Sequence, residues 1–153
     1  MALVNDVEEL SEYPFRHSFF RELWEEAEFA GRDLWRTDFT RSGMTRVRFT
    51  GCRVAESVMC WADFIGCDFS GADLSGCDMR ASMFEGCTFN GAVLRGADLR
   101  RSSFKGCEFA GADLAGAIAD EDETIEYLYD KLTEVQQASM VWHEEPGPEP
   151  PGG

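Results

Sequence analysis

The chain has 153 residues, 44% of them hydrophobic, and a formal net charge of −15 at pH 7. That is length enough for one domain with its own core. So acidic a chain lacks the clustered cations a phosphate footprint demands; direct nucleic-acid binding is not expected, and a basic partner surface fits better. No apolar run approaches the length of a membrane span, and Met1–Asp6 lacks the basic start of a secretion signal, so a cytoplasmic protein without membrane contact is expected.

Residues 1–26 hold two basic and seven acidic residues, net −5. Phe19 and Trp24 are in phase with the repeat that follows, which would make 18–26 an irregular first coil. The same segment also reads as a helical stripe of Phe19, Phe20, Leu23, Trp24 and Ala27. We expect a cap or an imperfect first coil.

From 27 to 121 the pattern is unbroken. Every fifth residue from Phe29 to Leu114 is apolar: eighteen consecutive positions, beginning Phe29, Leu34, Phe39, Met44 and ending Phe104, Phe109, Leu114. Two residues before them, fifteen of the eighteen are Ala, Ser or Cys; two residues after, eleven are Gly. A period of five matches neither an amphipathic helix nor an alternating strand, and fixed self-similarity of this kind outranks other signals. It fits a short extended segment followed by a tight turn. The large and small residues point inward, and Gly supplies the positive φ that a type II turn requires.

The run Cys67-Asp-Phe-Ser-Gly-Ala-Asp-Leu-Ser-Gly-Cys-Asp-Met79 resembles the pentapeptide-repeat family. The resemblance implies an all-β solenoid, a right-handed quadrilateral β-helix of about 4.5–5 coils over 27–121. Four units per lap then predict a second period of twenty, and the residues obey it. One column is Phe29, Phe49, Phe69, Phe89, Phe109; the next is Leu34, Val54, Leu74, Leu94, Leu114. Met44, Phe64, Phe84, Phe104 and Phe39, Met59, Met79, Leu99 complete the four. Like stacks on like, as in-register strands about 4.8 Å apart would have it.

Residues 122–140 follow as a C-terminal helix. Ile125, Leu128, Tyr129, Leu132 and Val135 form a helical stripe over 122–138, with Asp122, Glu123 and Glu126 at its positive start. It would cover the C-terminal mouth or pair with a second copy; in some relatives a C-terminal helix makes the homodimer. Residues 141–153, ending Glu-Glu-Pro-Gly-Pro-Glu-Pro-Pro-Gly-Gly, carry too little apolar surface to bury and are expected to be a disordered tail.

Six cysteines do not make a disulfide scaffold here. Five occupy inward positions of the repeat, and parallel side-chain directions in successive coils disfavour unstrained bridges. Cys60 alone sits at an outward position and is the candidate reactive thiol. With no Cys-x-x-Cys pair and only His17 and His143, neither a metal site nor a cofactor is expected. There is no phosphate loop, nucleophile elbow or other catalytic pattern, so the chain reads as a binding protein rather than an enzyme.

Two outward features remain. The first is acidic: Glu28, Asp68 and Glu108 along one wall, interrupted by Arg48, and Asp38, Asp78 and Asp98 along another, offset by Arg41, Arg80, Arg100 and Arg101. The family resemblance gives these a meaning, because members that confer quinolone resistance imitate duplex DNA on DNA gyrase. It implies a partner such as gyrase or topoisomerase IV, and resistance to topoisomerase poisons. The competing reading is a solvated face laced with ion pairs, each worth about 0–1 kcal/mol. The second feature is apolar: Val58, Cys60 and Trp61 occupy outward positions, with Ile65 round the corner and Met83 one coil on. Such a cluster suggests a partner contact centred on Trp61, or a surface that the N-terminal segment folds back to cover. Trp35 stands apart and is expected to meet the N-terminal flank.

Overall fold

The computed structural model describes residues 15–121, 126–144 and 148–151. Most of the expected N-terminal cap, and Ile125 of the C-terminal stripe, lie outside the described residues.

The corners set the architecture. At every fifth residue from Arg21 to Gly116 the backbone is left-handed, eleven times at Gly and nine times at a residue with a side chain. The turn at Gly51 (φ 66°) shows the geometry: the Cys52 N–H donates to the Phe49 carbonyl at 3.0 Å, closing the four-residue turn around it. An L-residue in this conformation costs roughly 1–2 kcal/mol, which is why Gly dominates the position.

Between corners the chain pairs in parallel with itself twenty residues on. Strand β1 (His17–Ser18) pairs with β3 (Thr37–Asp38), while β2 (Leu23–Glu25), β4 (Gly43–Thr45), β5 (Asp63–Ile65) and β6 (Met83–Glu85) form one four-stranded wall. Single bridges such as Glu28↔Arg48 and Arg48↔Asp68 continue the other walls.

Twenty residues per lap superimpose the columns. Phe49, Phe69, Phe89 and Phe109 stack face to face at 4.8, 5.1 and 5.0 Å between ring centroids, and Phe64, Phe84 and Phe104 at 5.0 and 5.1 Å. Rings of the two columns meet edge to face, as between Phe69 and Phe84 at 6.4 Å. The small inward residues have a second task. The thiols of Cys52, Cys67, Cys77, Cys87 and Cys107 donate to the carbonyls of Phe29, Met44, Val54, Phe64 and Phe84 at 2.9–3.2 Å. The hydroxyls of Ser57, Ser82 and Ser102 do the same to Leu34, Met59 and Met79. Each laces one lap to the next, and all six cysteines are free and buried.

The solenoid starts earlier than the unbroken repeat. Phe19 stacks on Phe39 at 5.3 Å, and Trp24 meets Phe29 edge-on at 5.3 Å. Residues 15–26 therefore form a strand-paired coil, and the helical alternative for them is overturned. Their fivefold spacing extends two existing columns, whereas a helix would leave Phe19 nothing to stack on. The chain makes about six turns rather than 4.5–5.

At the other end a short C-terminal helix is present, but the described part of 122–138 is not one continuous helix. Two short helices stand in its place, α1 (Glu126–Tyr129) and α2 (Glu134–Ser139), followed by β8 (Val141–His143), which pairs in parallel with β7 (Ile118–Asp120). Thr133 is responsible. Its hydroxyl accepts the Gln136 N–H at 3.1 Å while the Gln136 side chain accepts the Thr133 N–H at 2.9 Å, a capping box that starts a new helix there. The apolar stripe consequently divides. Leu128 and Leu132 are buried as a lid over the last lap, Tyr129 is half exposed against Trp142, and Val135 is 80% exposed.

Candidate interaction surfaces

With the interior filled, everything that can meet another molecule lies on the walls and corners. Four features of the wall bear on function.

The Trp61 corner brings together most of the residues assigned to it. Val58 lies in register between Asp38 and Asp78 on one wall. Trp61 turns the corner with φ 58°, the one aromatic residue in a left-handed position among the described residues. Ile65, 40% exposed, and the half-buried Met83 lie on the next wall, in β5 and β6. Cys60 does not belong to this patch. It is fully buried, its thiol 3.8 Å from the Asp78 carbonyl. Burial, and then the Asp78 carboxylate, push that thiol up to about 12, so it stays protonated and unreactive. The residue after a large inward one tucks over the neighbouring lap here instead of pointing away. In the same column Arg80 is similarly shielded, its side chain 14% exposed.

Part of that shielding comes from a segment assigned above to the tail. Arg80 Nη1 donates to the Pro148 carbonyl at 3.1 Å, and Pro150 is buried. Residues 148–151 therefore pack on the solenoid and are not part of a disordered tail. Pro150 buries its ring despite the segment's low apolar content.

The acidic residues do not form one face. Glu28, Asp68 and Glu108 lie ten residues, or half a lap, out of phase with Asp38, Asp78 and Asp98, so the two sets stand on opposite walls. Most also have structural work. The carboxylates of Asp38, Asp68, Asp78 and Asp98 accept the N–H two residues on, at 2.9, 2.9, 3.3 and 3.2 Å, bracing the turn. Arginines then offset the charge: Arg80 grips Asp78 through two bonds of 2.8 Å, Arg100 grips Asp98 at 2.9 and 2.7 Å, and Arg48 meets Glu28 at 3.2 Å. Burial pushes the Asp78 carboxyl up, but the Arg80 bonds and the Cys60 thiol outweigh it and hold the group below its usual range.

A fourth feature was not legible in the sequence. Three guanidinium groups, of Arg53, Arg36 and Arg16, lie 4.8, 5.5 and 5.7 Å from the Trp35 ring centroid, while the indole N–H donates to Glu56 at 2.8 Å. Asp33 bridges Arg16 at 3.3 Å and Arg53 at 3.6 Å. Trp35 thus meets the N-terminal flank through Arg16. A period of twenty applied to cations would have paired Arg16 with Arg36, but Arg53 arrives off that period. Among the described residues no group of His, Cys, Asp or Glu is arranged to hold a metal ion, and no helix is long and apolar enough to cross a membrane.

Known proteins resemble the chain chiefly in fold. Among solved structures it is similar to HetL, a pentapeptide-repeat protein involved in heterocyst differentiation regulation from the cyanobacterium Nostoc sp. strain PCC 7120. Identity is 21% over 67% of this chain and 48% of HetL, with a TM-score of 0.57; the chain thus spans about half the length of HetL. It is also similar to QnrB1, a plasmid-mediated fluoroquinolone resistance protein, with 16% identity over 85% of this chain and 89% of that one and a TM-score of 0.37. A pentapeptide-repeat protein of the Arabidopsis thaliana thylakoid lumen gives 24% identity, 80% and 72% coverage and a TM-score of 0.32. Among curated proteins no sequence matches it. The pentapeptide-repeats profile matches eight copies, over residues 42–80 and 83–118, where the fivefold corners, the twenty-residue register and the stacked Phe columns have just been described. The chain belongs to the pentapeptide-repeat family.

Proposed function

We propose that this protein works without catalysis, as a solenoid that binds another protein through its outer wall, with the Trp61 corner as the first contact. One observation carries the reading. The inward positions are filled by rings stacked at 4.8–5.1 Å and excluded from solvent, while Trp61, Val58, Ile65 and Met83 gather apolar surface on the outside, where a fold needs none. We place the protein in a reducing cytoplasm, on the strength of six free thiols. Self-association through the 122–138 stripe would rest on the exposed Tyr129 and Val135, because Leu128 and Leu132 serve the lid.

A narrower reading makes the partner a type II topoisomerase, DNA gyrase or topoisomerase IV, with the rod imitating duplex DNA and conferring resistance to quinolones. The net charge of −15 supports it; the pairing of Glu28, Asp78 and Asp98 with arginines counts against it. Gyrase supercoiling, with and without a quinolone, separates the two. Salt-sensitive protection that weakens on Asp68→Asn and Glu108→Gln supports mimicry. No effect at tens of micromolar protein, with partner capture from the host lost in Trp61→Asn, supports the Trp61 corner alone. Capture unaffected by Trp61→Asn overturns the corner as the contact.

A further inference from the structure

Four observations converge on one edge of the solenoid. The first is placement: of the nine left-handed corners that carry a side chain, Trp61 is the aromatic one, and a bulky residue in that conformation points to use. The second is an orphan: the Trp61 indole Nε1 is buried and has no hydrogen-bond acceptor among the described residues. Something excludes water there without offering an oxygen. The third is a cation held ready. Arg80 Nε and Nη2 are fixed by Asp78 at 2.8 Å each, Nε lies 3.6 Å from Asp98, and Nη1 is turned to the Pro148 carbonyl at 3.1 Å. The fourth is the burial of Pro150.

Chain geometry connects them. Asp120 lies two laps beyond Arg80, and His143 pairs with it from one lap further on. Laps are about 4.8 Å apart, and an extended proline-rich chain rises about 3.1 Å per residue. The five-residue separation of His143 and Pro148 is long enough, at that rise, to span the three laps down to Arg80. Two more, to Pro150, cover the single lap from Arg80 to Trp61. An apolar pyrrolidine ring laid on the indole would explain both the buried Pro150 and the orphaned indole N–H.

We propose that Trp61 and Arg80 form a groove for a proline-rich extended segment, filled in this chain by its own residues 148–151, which thereby strap the contact face. The chemistry is that of polyproline recognition: an aromatic platform takes the rings, and a fixed donor takes a main-chain carbonyl. The orphaned indole N–H marks an incomplete fit, so the strap is displaceable by a segment that presents a carbonyl there. The consequence for partner access rests on the Trp61 corner being the contact face; the groove itself does not.

The test is a fluorescent peptide copying residues 144–153, titrated into the full-length chain and into the full-length Pro148→Ser/Pro150→Ser variant. The variant, its groove vacated, is expected to bind the peptide at least about ten-fold more tightly than the unaltered chain. Adding Trp61→Asn, a residue that tolerates the left-handed corner, should abolish binding while the circular dichroism stays unchanged. The Trp61 indole signal in a nitrogen–proton correlation spectrum should also move between the unaltered chain and the double-serine variant. Equal binding to both chains, binding to neither, binding that survives Trp61→Asn, or an unmoved indole signal overturns the proposal. None of these outcomes bears on partner capture by the Trp61 face, which is measured separately.

Discussion

The Gln136 side chain donates to the Phe109 carbonyl at 2.8 Å, and to Ala112 at 3.1 Å, while its own oxygen caps α2 through the Thr133 N–H. One amide thus closes the C-terminal end of the solenoid, whose last carbonyls have no further lap to meet. Open ends of repeat arrays need such closure.

Replacing Gln136 with Leu keeps the volume and removes all three bonds. We expect a loss of about 1–3 kcal/mol, the cost of these bonds and of leaving the Ala112 carbonyl without its donor, seen as a lower urea midpoint with an unchanged slope. Amide exchange should accelerate first at Gly116 and Val141, whose N–H groups tie the cap to β7 and the lap beneath it. A loss spread evenly over all laps would mean that the end is not a separate unit.

Phe69 sits midway in the longest ring stack, with Phe49 at 4.8 Å and Phe89 at 5.1 Å. Phe69→Ala should cost about 3–5 kcal/mol. Because stability in a solenoid sums over neighbouring laps, Phe29→Ala, at 2% exposure near the N-terminal end, should cost clearly less. Chemical denaturation of both variants checks the ordering, and equal costs would contradict it.

Acid should loosen the first coil before the rest. His17 is buried, and burial, then Arg16, lowers its pKa below the usual 6.5. A folded pKa below the unfolded one means the unfolded chain binds the proton better. The stability His17 contributes is therefore complete above pH 6.5 and declines as pH falls from there toward the folded value. Amide exchange at Arg16 and Phe19, which bond to Arg36 and Asp38, taken relative to the intrinsic rate at each pH, should rise between pH 6.5 and 5. His17→Gln should flatten that rise.

The thiols should be inert in the native state because all six are buried, although hydrogen bonding to Cys87 lowers Cys67 and Cys107. Burial drives Cys77 up to about 12, as it does Cys60. The stacked Cys107 and Cys67 sulfurs, with burial, push Cys87 up as well. Iodoacetamide at pH 7.5, followed by mass spectrometry, should label none of the six within minutes, and all six in denaturant. Rapid native labelling at Cys60 would show that the strapped edge opens.

The sequence by itself determined what periodicity can carry. A five-residue register with Gly at the corners admits one backbone path, and the twenty-residue columns fix which side chains stack, because both are local rules repeated until nothing else fits. Phe19 and Trp24 were readable as members of two columns, although a helical stripe competed for them. Only the tertiary structure decided what lies off the period. It split the C-terminal stripe at Thr133, set three arginines around Trp35, buried Cys60, and returned Pro148 to Arg80. Each is a contact between residues whose separation obeys no repeat, and pattern reading has no purchase there. The same division explains why the fold was plain from the first while the contact surface was not: stacking is written once per lap, whereas a docking site is written once.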